Sequence, residues 1–255
     1  MRRKREVSAS FTFAEAKTKV QDSVILAGVV MASVFPMFLY QFTNLTAEVF
    51  TRTPTANELR MLALGQSIIV FGAAFLCSLV GFMYAKRLKL PGFGKLSDVK
   101  FWLPVGLMAG LVFAPVSYFM IDKKLLAMMP DLLPSPWYQA LGWMAGSTLG
   151  QEVIARFGLM TIGVYLLDWV GFSGRPWPAI VVVSVFGALS SFIFLQRLGI
   201  INIMGPVFLA TSVGFSFLFQ ALLSWVYIKK GLVASMCLHF GVLLRLLVYS
   251  VISPV

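Results

Sequence analysis

Charge is scarce in this chain: Asp, Glu, Lys and Arg make up 12% of 255 residues, against 59% apolar residues and a mean hydropathy of +0.86. Soluble domains carry about a quarter charged residues, so an ordinary water-facing surface is excluded and a bilayer is left as the solvent. Acid is scarcer than base, 10 residues against 21, giving a net charge of +11. In so apolar a chain that excess fits Lys and Arg gathered on the cytoplasmic side near anionic lipid, and no nucleic-acid partner is expected. Histidine occurs once, at His239, which rules out a metal site built from imidazoles alone. The two cysteines, Cys77 and Cys237, fall inside apolar stretches and read as packing atoms, with no disulfide or redox role implied.

What is present is a series of long neutral runs. No charge falls between Asp22 and Glu48, Arg60 and Lys86, Lys100 and Asp122, Arg175 and Arg197, or Arg197 and Lys229. Each run exceeds the roughly 20 residues that carry a helix across ~30 Å of hydrocarbon. About seven spans are expected, at 23–41, 62–85, 101–121, 145–168, 177–196, 200–227 and 231–252. The runs are too long and too uniform for barrel strands, and a helix satisfies its own backbone in lipid, so the fold class is an all-α polytopic transmembrane bundle. Residues 1–22 form a basic arm and residues 23–255 a single helical domain. The arm starts like a secretory signal at Arg2, Arg3, Lys4 and Arg5, but the apolar run after Asp22 is too long and too far in, and is read as a retained first span. With the arm inside, fourteen of the 21 basic residues fall in inner segments and five in outer ones, which predicts a cytoplasmic N-terminus and an outside C-terminus.

Gly106 and Gly110, and Gly146 and Gly150, are paired one turn apart and permit close helix approach. Pro36, Pro104, Pro115 and Pro206 lie within spans, where each removes a backbone donor and is expected to kink its helix. Residues 122–136, broken by Pro130, Pro134 and Pro136, read as an outer loop or a short interfacial helix.

Polar residues inside the spans need a reason, because a charge at mid-membrane costs about 2.5–3.5 kcal/mol even on the mild insertion scale. Glu152 and Arg156 stand four apart, with the acid N-terminal to the base, and share a helix face. They form either a buried ion pair that fixes packing or a reacting acid held by Arg156. His239 is either a hydrogen-bonded packing residue or a single ligand. Arg245 follows it by about 120° of helix rotation and so points elsewhere. It is expected to snorkel toward the outer interface, with pairing to Glu152 as the alternative.

Three segments, in order, resemble the motifs of the CPBP intramembrane proteases, relatives of the CAAX prenyl endopeptidase. Gln151-Glu152-Val-Ile-Ala-Arg156 is similar to the family's Glu-Glu-x-x-x-Arg, Phe192-Ile-Phe-Leu-Gln196 to Phe-x-x-x-His, and His239-Phe-Gly-Val-Leu243 to His-x-x-x-Asn. Trp225 to Ser235 resembles the lead-in to the last motif, and the likeness covers about residues 141–255. It implies a plasma-membrane protein in which the first Glu of the pair activates water and the two His and the Asn arrange the site, often with a divalent metal such as zinc. Here those positions read Gln151, Gln196, His239 and Leu243. Glutamine has no carboxylate to accept a proton, and leucine has no polar atom.

The frame Glu152, Arg156, Phe192 and His239 is retained while the reactive groups are replaced. The leading expectation is therefore a non-catalytic relative, needing no cofactor, that binds a transmembrane segment, a prenylated peptide or a partner subunit. An altered but active peptidase, with Glu152 and His239 as catalytic residues and His239 as a metal ligand, is the alternative. A small-solute carrier or a structural subunit of a larger complex are further ones. Gln151, Gln196 and His239 are expected to converge on one cavity.

Overall fold

The computed structural model describes residues 13–44, 54–128, 137–172, 175–197, 200 and 205–252. Every long element among them is helical and none is a strand, as the hydropathy requires. In order these are α1 (Phe13–Asn44), α2 (Ala56–Tyr84), a single 3-10 turn at Leu96–Asp98, α3 (Val99–Ser117), a π-helical turn π1 (Tyr118–Asp122) and α4 (Lys123–Met128). Then come α5 (Trp137–Gln151), a second π-helical stretch π2 (Glu152–Met160), α6 (Thr161–Trp169), α7 (Trp177–Arg197), α8 (Pro206–Lys230), α9 (Leu232–Val242) and α10 (Leu244–Ile252).

Among the described residues six helices are long and apolar enough to cross a membrane, one fewer than the sequence suggests. The expected fourth span exists as a helical rod from Trp137 to Trp169, but it carries Gln151, Glu152, Arg156 and Asp168 and is set apart by composition. α1 starts at Phe13, so the second half of the expected arm is already helical, while residues 1–12 lie outside the described part. α4 is the short helix expected after Asp122; Pro130, Pro134 and Pro136 also lie outside it. Pro206 is not inside its helix: it occupies the first turn of α8, where a missing N–H is harmless.

Packing follows from side-chain size. α2 buries Ala63, Ser67, Ala74, Ser78 and Gly81, a stripe of small residues at turn spacing, while Ile69 and Leu76 face outward. α3 buries Gly106, Gly110, Ala114 and Ser117. A methyl group on Gly106 would overlap the Cys237 carbonyl, and one on Gly110 the Gly241 carbonyl, so α3 and α9 touch backbone to backbone. Lipid offers no hydrophobic drive between helices, and such contact is how they associate. On the second expected pair, Gly146 meets Ser33 and Val34 of α1 in the same manner. Both cysteines are free thiols.

The last span is the inner one: 61% of its most apolar window is buried, against 22–28% for the other five. Its start is pinned. Gly231, at φ +94°, turns the chain between α8 and α9 in a conformation side chains resist, and Leu232 and Val233 donate to the carbonyls of Gly92 (2.9 Å) and Phe93 (3.0 Å). Two turns further along α9 stands His239.

Candidate functional site: a dry acid beside a polar cavity

Glu152 opens π2, the wide helical stretch that packs against α2 through Phe157 on Gly81 and Gly158 on Cys77. Glu152 and Arg156 are fully buried and His239 is 2% exposed. Glu152 Oε1 lies 2.8 Å from His239 Nδ1 and 3.3 Å from Arg156 Nη1. Its other oxygen, Oε2, accepts from the Ser235 hydroxyl. Arg156 Nη2 in turn donates to the Gln220 side-chain carbonyl and, at 3.3 Å, to the Gln220 main-chain carbonyl. A carboxylate only accepts, so His239 carries its proton on Nδ1, and the ring stands edge-on to Phe219 at 5.2 Å. Three elements, π2, α8 and α9, are thus joined through the Glu152–Arg156 pair.

A second polar cluster joins α3, π1 and α10. Ser117 donates to Asp122 Oδ2 at 2.6 Å and accepts from Arg245, whose guanidinium is 3.3 Å from the same oxygen. The Tyr249 hydroxyl reaches Asp122 at 2.9 Å and the Ala114 carbonyl at 3.1 Å, two acceptors for one proton. Arg245 therefore pairs with Asp122 and not with Glu152. The helix breaks at Leu243, and the turn swings Arg245 toward the π1 carboxylate. Asp122, outside the expected site, was legible only as a charge at the end of a span.

Between the two clusters is a cavity of about 550 Å³, bounded by α1, α5, π2, α7 and α8. Arg156, Gln220 and Gln151 border one part of it, Asp122 and Arg245 another, and Ser147, Ser190, Ser191 and Ser216 line its wall among Met37, Phe186 and Phe215. Glu152 and His239 do not line it.

The structure thus brings Glu152, Arg156 and His239 together and leaves the other motif positions apart. Gln151 is exposed, hydrogen-bonds Ser147 at 3.1 Å and borders the cavity, because neighbours on a helix point about 100° apart. Gln196 is exposed near the end of α7 and bonds neither Gln151 nor His239. The buried face there belongs to Leu195, which packs with Ile121, Ile200 and Phe208. Phe192 is half-buried on α7, and Leu243 half-buried at the α9–α10 break against Ala140, Met144 and Leu246. The expected convergence of Gln151, Gln196 and His239 does not occur. Ser235 and Gln220 complete the network instead. Ser235 stands one turn before His239, a spacing that marks a shared face; Gln220 is a lone amide in an apolar run.

A divalent cation does not fit these residues. No group of three His, Cys, Asp or Glu side chains converges among the described residues, and the nearest pair, Glu152 and His239, is bonded to itself with a guanidinium beside it. Comparison of the chain with protein families, with curated proteins and with solved structures gives no match.

Proposed function

We propose that this is a non-hydrolytic relative of the CPBP intramembrane proteases, a plasma-membrane protein with a cytoplasmic N-terminus whose cavity receives a transmembrane or lipid-modified peptide. One observation carries the reading. The position where the family's water-activating carboxylate would stand is Gln151, and Gln151 borders the cavity, while the carboxylate that remains, Glu152, faces the core with both oxygens occupied. A general base must reach the proton it removes, and Gln151 has no proton-accepting group.

The cavity wall suits an amphipathic occupant: aromatic and aliphatic side chains for a prenyl or apolar segment, with serine, glutamine and arginine groups for peptide carbonyls. The test uses the full chain in lipid nanodiscs with a farnesylated peptide carrying a photoreactive group on its isoprenoid. Crosslinks on α7 and α8, an intact peptide by mass spectrometry and loss of crosslinking in Ser190→Trp are the expected result. Peptide cleavage that disappears in Glu152→Gln establishes the altered peptidase instead, and crosslinks spread evenly over the lipid-facing helices remove the cavity reading.

A further inference from the structure

A second cavity, of about 350 Å³, lies at the end of the bundle where α2, α6 and α8 finish and α7 begins. Arg87, Lys89 and Arg175 line it with one acid, Asp168, while Phe172 and Ile228 give it an apolar floor. We infer that this pocket binds the phosphate headgroup of an anionic membrane lipid.

Three observations lead there. The first is charge: three bases, Arg87, Lys89 and Arg175, line the pocket with one acid. The second is depth. Trp169 closes α6 at 80% exposure and Trp177 opens α7 at 61%, one on each side of the pocket's α6–α7 corner. Tyr84 and Tyr165 pair nearby at 5.4 Å, with the Arg87 guanidinium 5.9 Å over the Tyr84 ring. Exposed tryptophan and tyrosine settle at the level of lipid headgroups, so the bases stand where lipid phosphates stand. A basic pocket between helices at this depth has the composition that takes such headgroups, and its apolar floor suits the start of an acyl chain.

The third is strain. After α2 the chain turns with Leu90 donating to Ala85 at 2.9 Å and Lys89 to Lys86 at 3.2 Å, a helix end that ordinarily places glycine where Lys89 stands at φ +59°. A lysine held in that conformation, on the wall of a basic pocket, points to a use for its charge.

The experiment places the protein in equimolar phosphatidylcholine and phosphatidylglycerol vesicles and reads, by electron paramagnetic resonance, how strongly spin-labelled forms of each lipid are immobilised. Phosphatidylglycerol is expected to be preferred, and excess aqueous glycerol phosphate to leave the preference intact. Arg87→Gln, Arg175→Gln and Lys89→Gly are each expected to weaken the preference by about fivefold, the effect of one basic group near a charged surface. Lys89→Gly also relieves the backbone, so its loss is not a folding defect. Lys95→Gln with Lys100→Gln, bases of the same end outside the pocket, is the control. An equal loss in that control reduces the effect to general surface attraction, and displacement by glycerol phosphate assigns the pocket to a soluble anion; either result overturns the inference.

Discussion

The two polar clusters of the bundle contain nearly the same chemistry, an acid, an arginine and a hydroxyl, yet they are built to different standards of dryness. Around Glu152 the acid and Arg156 are fully buried, and three elements supply the partners. Around Asp122 the acid is buried too, but the side chain of Arg245 is 22% exposed and both members of the ion pair border the open cavity, where in the first cluster only Arg156 does. Desolvation makes the first arrangement all or nothing: a charge in a dry interior is tolerable only while its counter-charge and hydrogen bonds are in place. The second can borrow water or a ligand when a partner is lost. The contrast teaches that the Glu152 network is a fastener joining π2, α8 and α9, and that the groups free to meet a ligand are Asp122, Arg245, Gln151 and the outer face of Arg156.

Breaking the dry cluster is the strongest way to test that contrast. Glu152→Ala leaves the Arg156 guanidinium buried without its counter-charge, and a loss of about 3–5 kcal/mol is expected in unfolding by SDS titration from micelles. Replacing the pair together, Glu152→Leu with Arg156→Met, removes both charges and is expected to restore most of that loss by the same measurement. A double variant as unstable as Glu152→Ala would show that the pair does more than hold helices. In the wetter cluster Asp122→Asn keeps an acceptor for Ser117 and Tyr249 and loses only the ionic part, so a smaller loss of about 1–2 kcal/mol is expected. Added salt should shrink that difference if water reaches the pair. The smallest effect is expected at Gln196→Ala. An exposed side chain outside both networks should change stability by no more than about 0.5 kcal/mol, and a change above 1 kcal/mol would return Gln196 to the site.

Sequence carried the fold class well and the site unevenly. Neutral runs longer than a bilayer crossing announced helices because lipid offers the backbone no other partner. The Glu152–Arg156 pair was visible because four residues is a helix repeat, and that spacing survives the π-helical stretch in which both sit. Gly106 and Gly110 could be read for the same reason. The fourth expected span is not among the helices apolar enough to cross, since the residues that make it interesting also lower its hydropathy. Gln196 was misplaced because a motif gives order along the chain and not direction around a helix: one position decides whether Leu195 or Gln196 takes the buried face. The pairing of Arg245 with Asp122 was missed because the break at Leu243 cannot be seen in a uniformly apolar run.

By itself the sequence determined that this chain lives in a membrane as a bundle of helices, with its charges confined largely to the segments between apolar runs and a matched acid and arginine one turn apart. Those are local properties, set by hydropathy and by helical periodicity. Only the tertiary structure decided that Glu152 meets His239 and Ser235, that Arg245 meets Asp122, and that Gln151 rather than Glu152 borders the cavity. Such pairings depend on which helix faces which, and that is settled by small residues letting backbones touch, a contact made between distant parts of the chain.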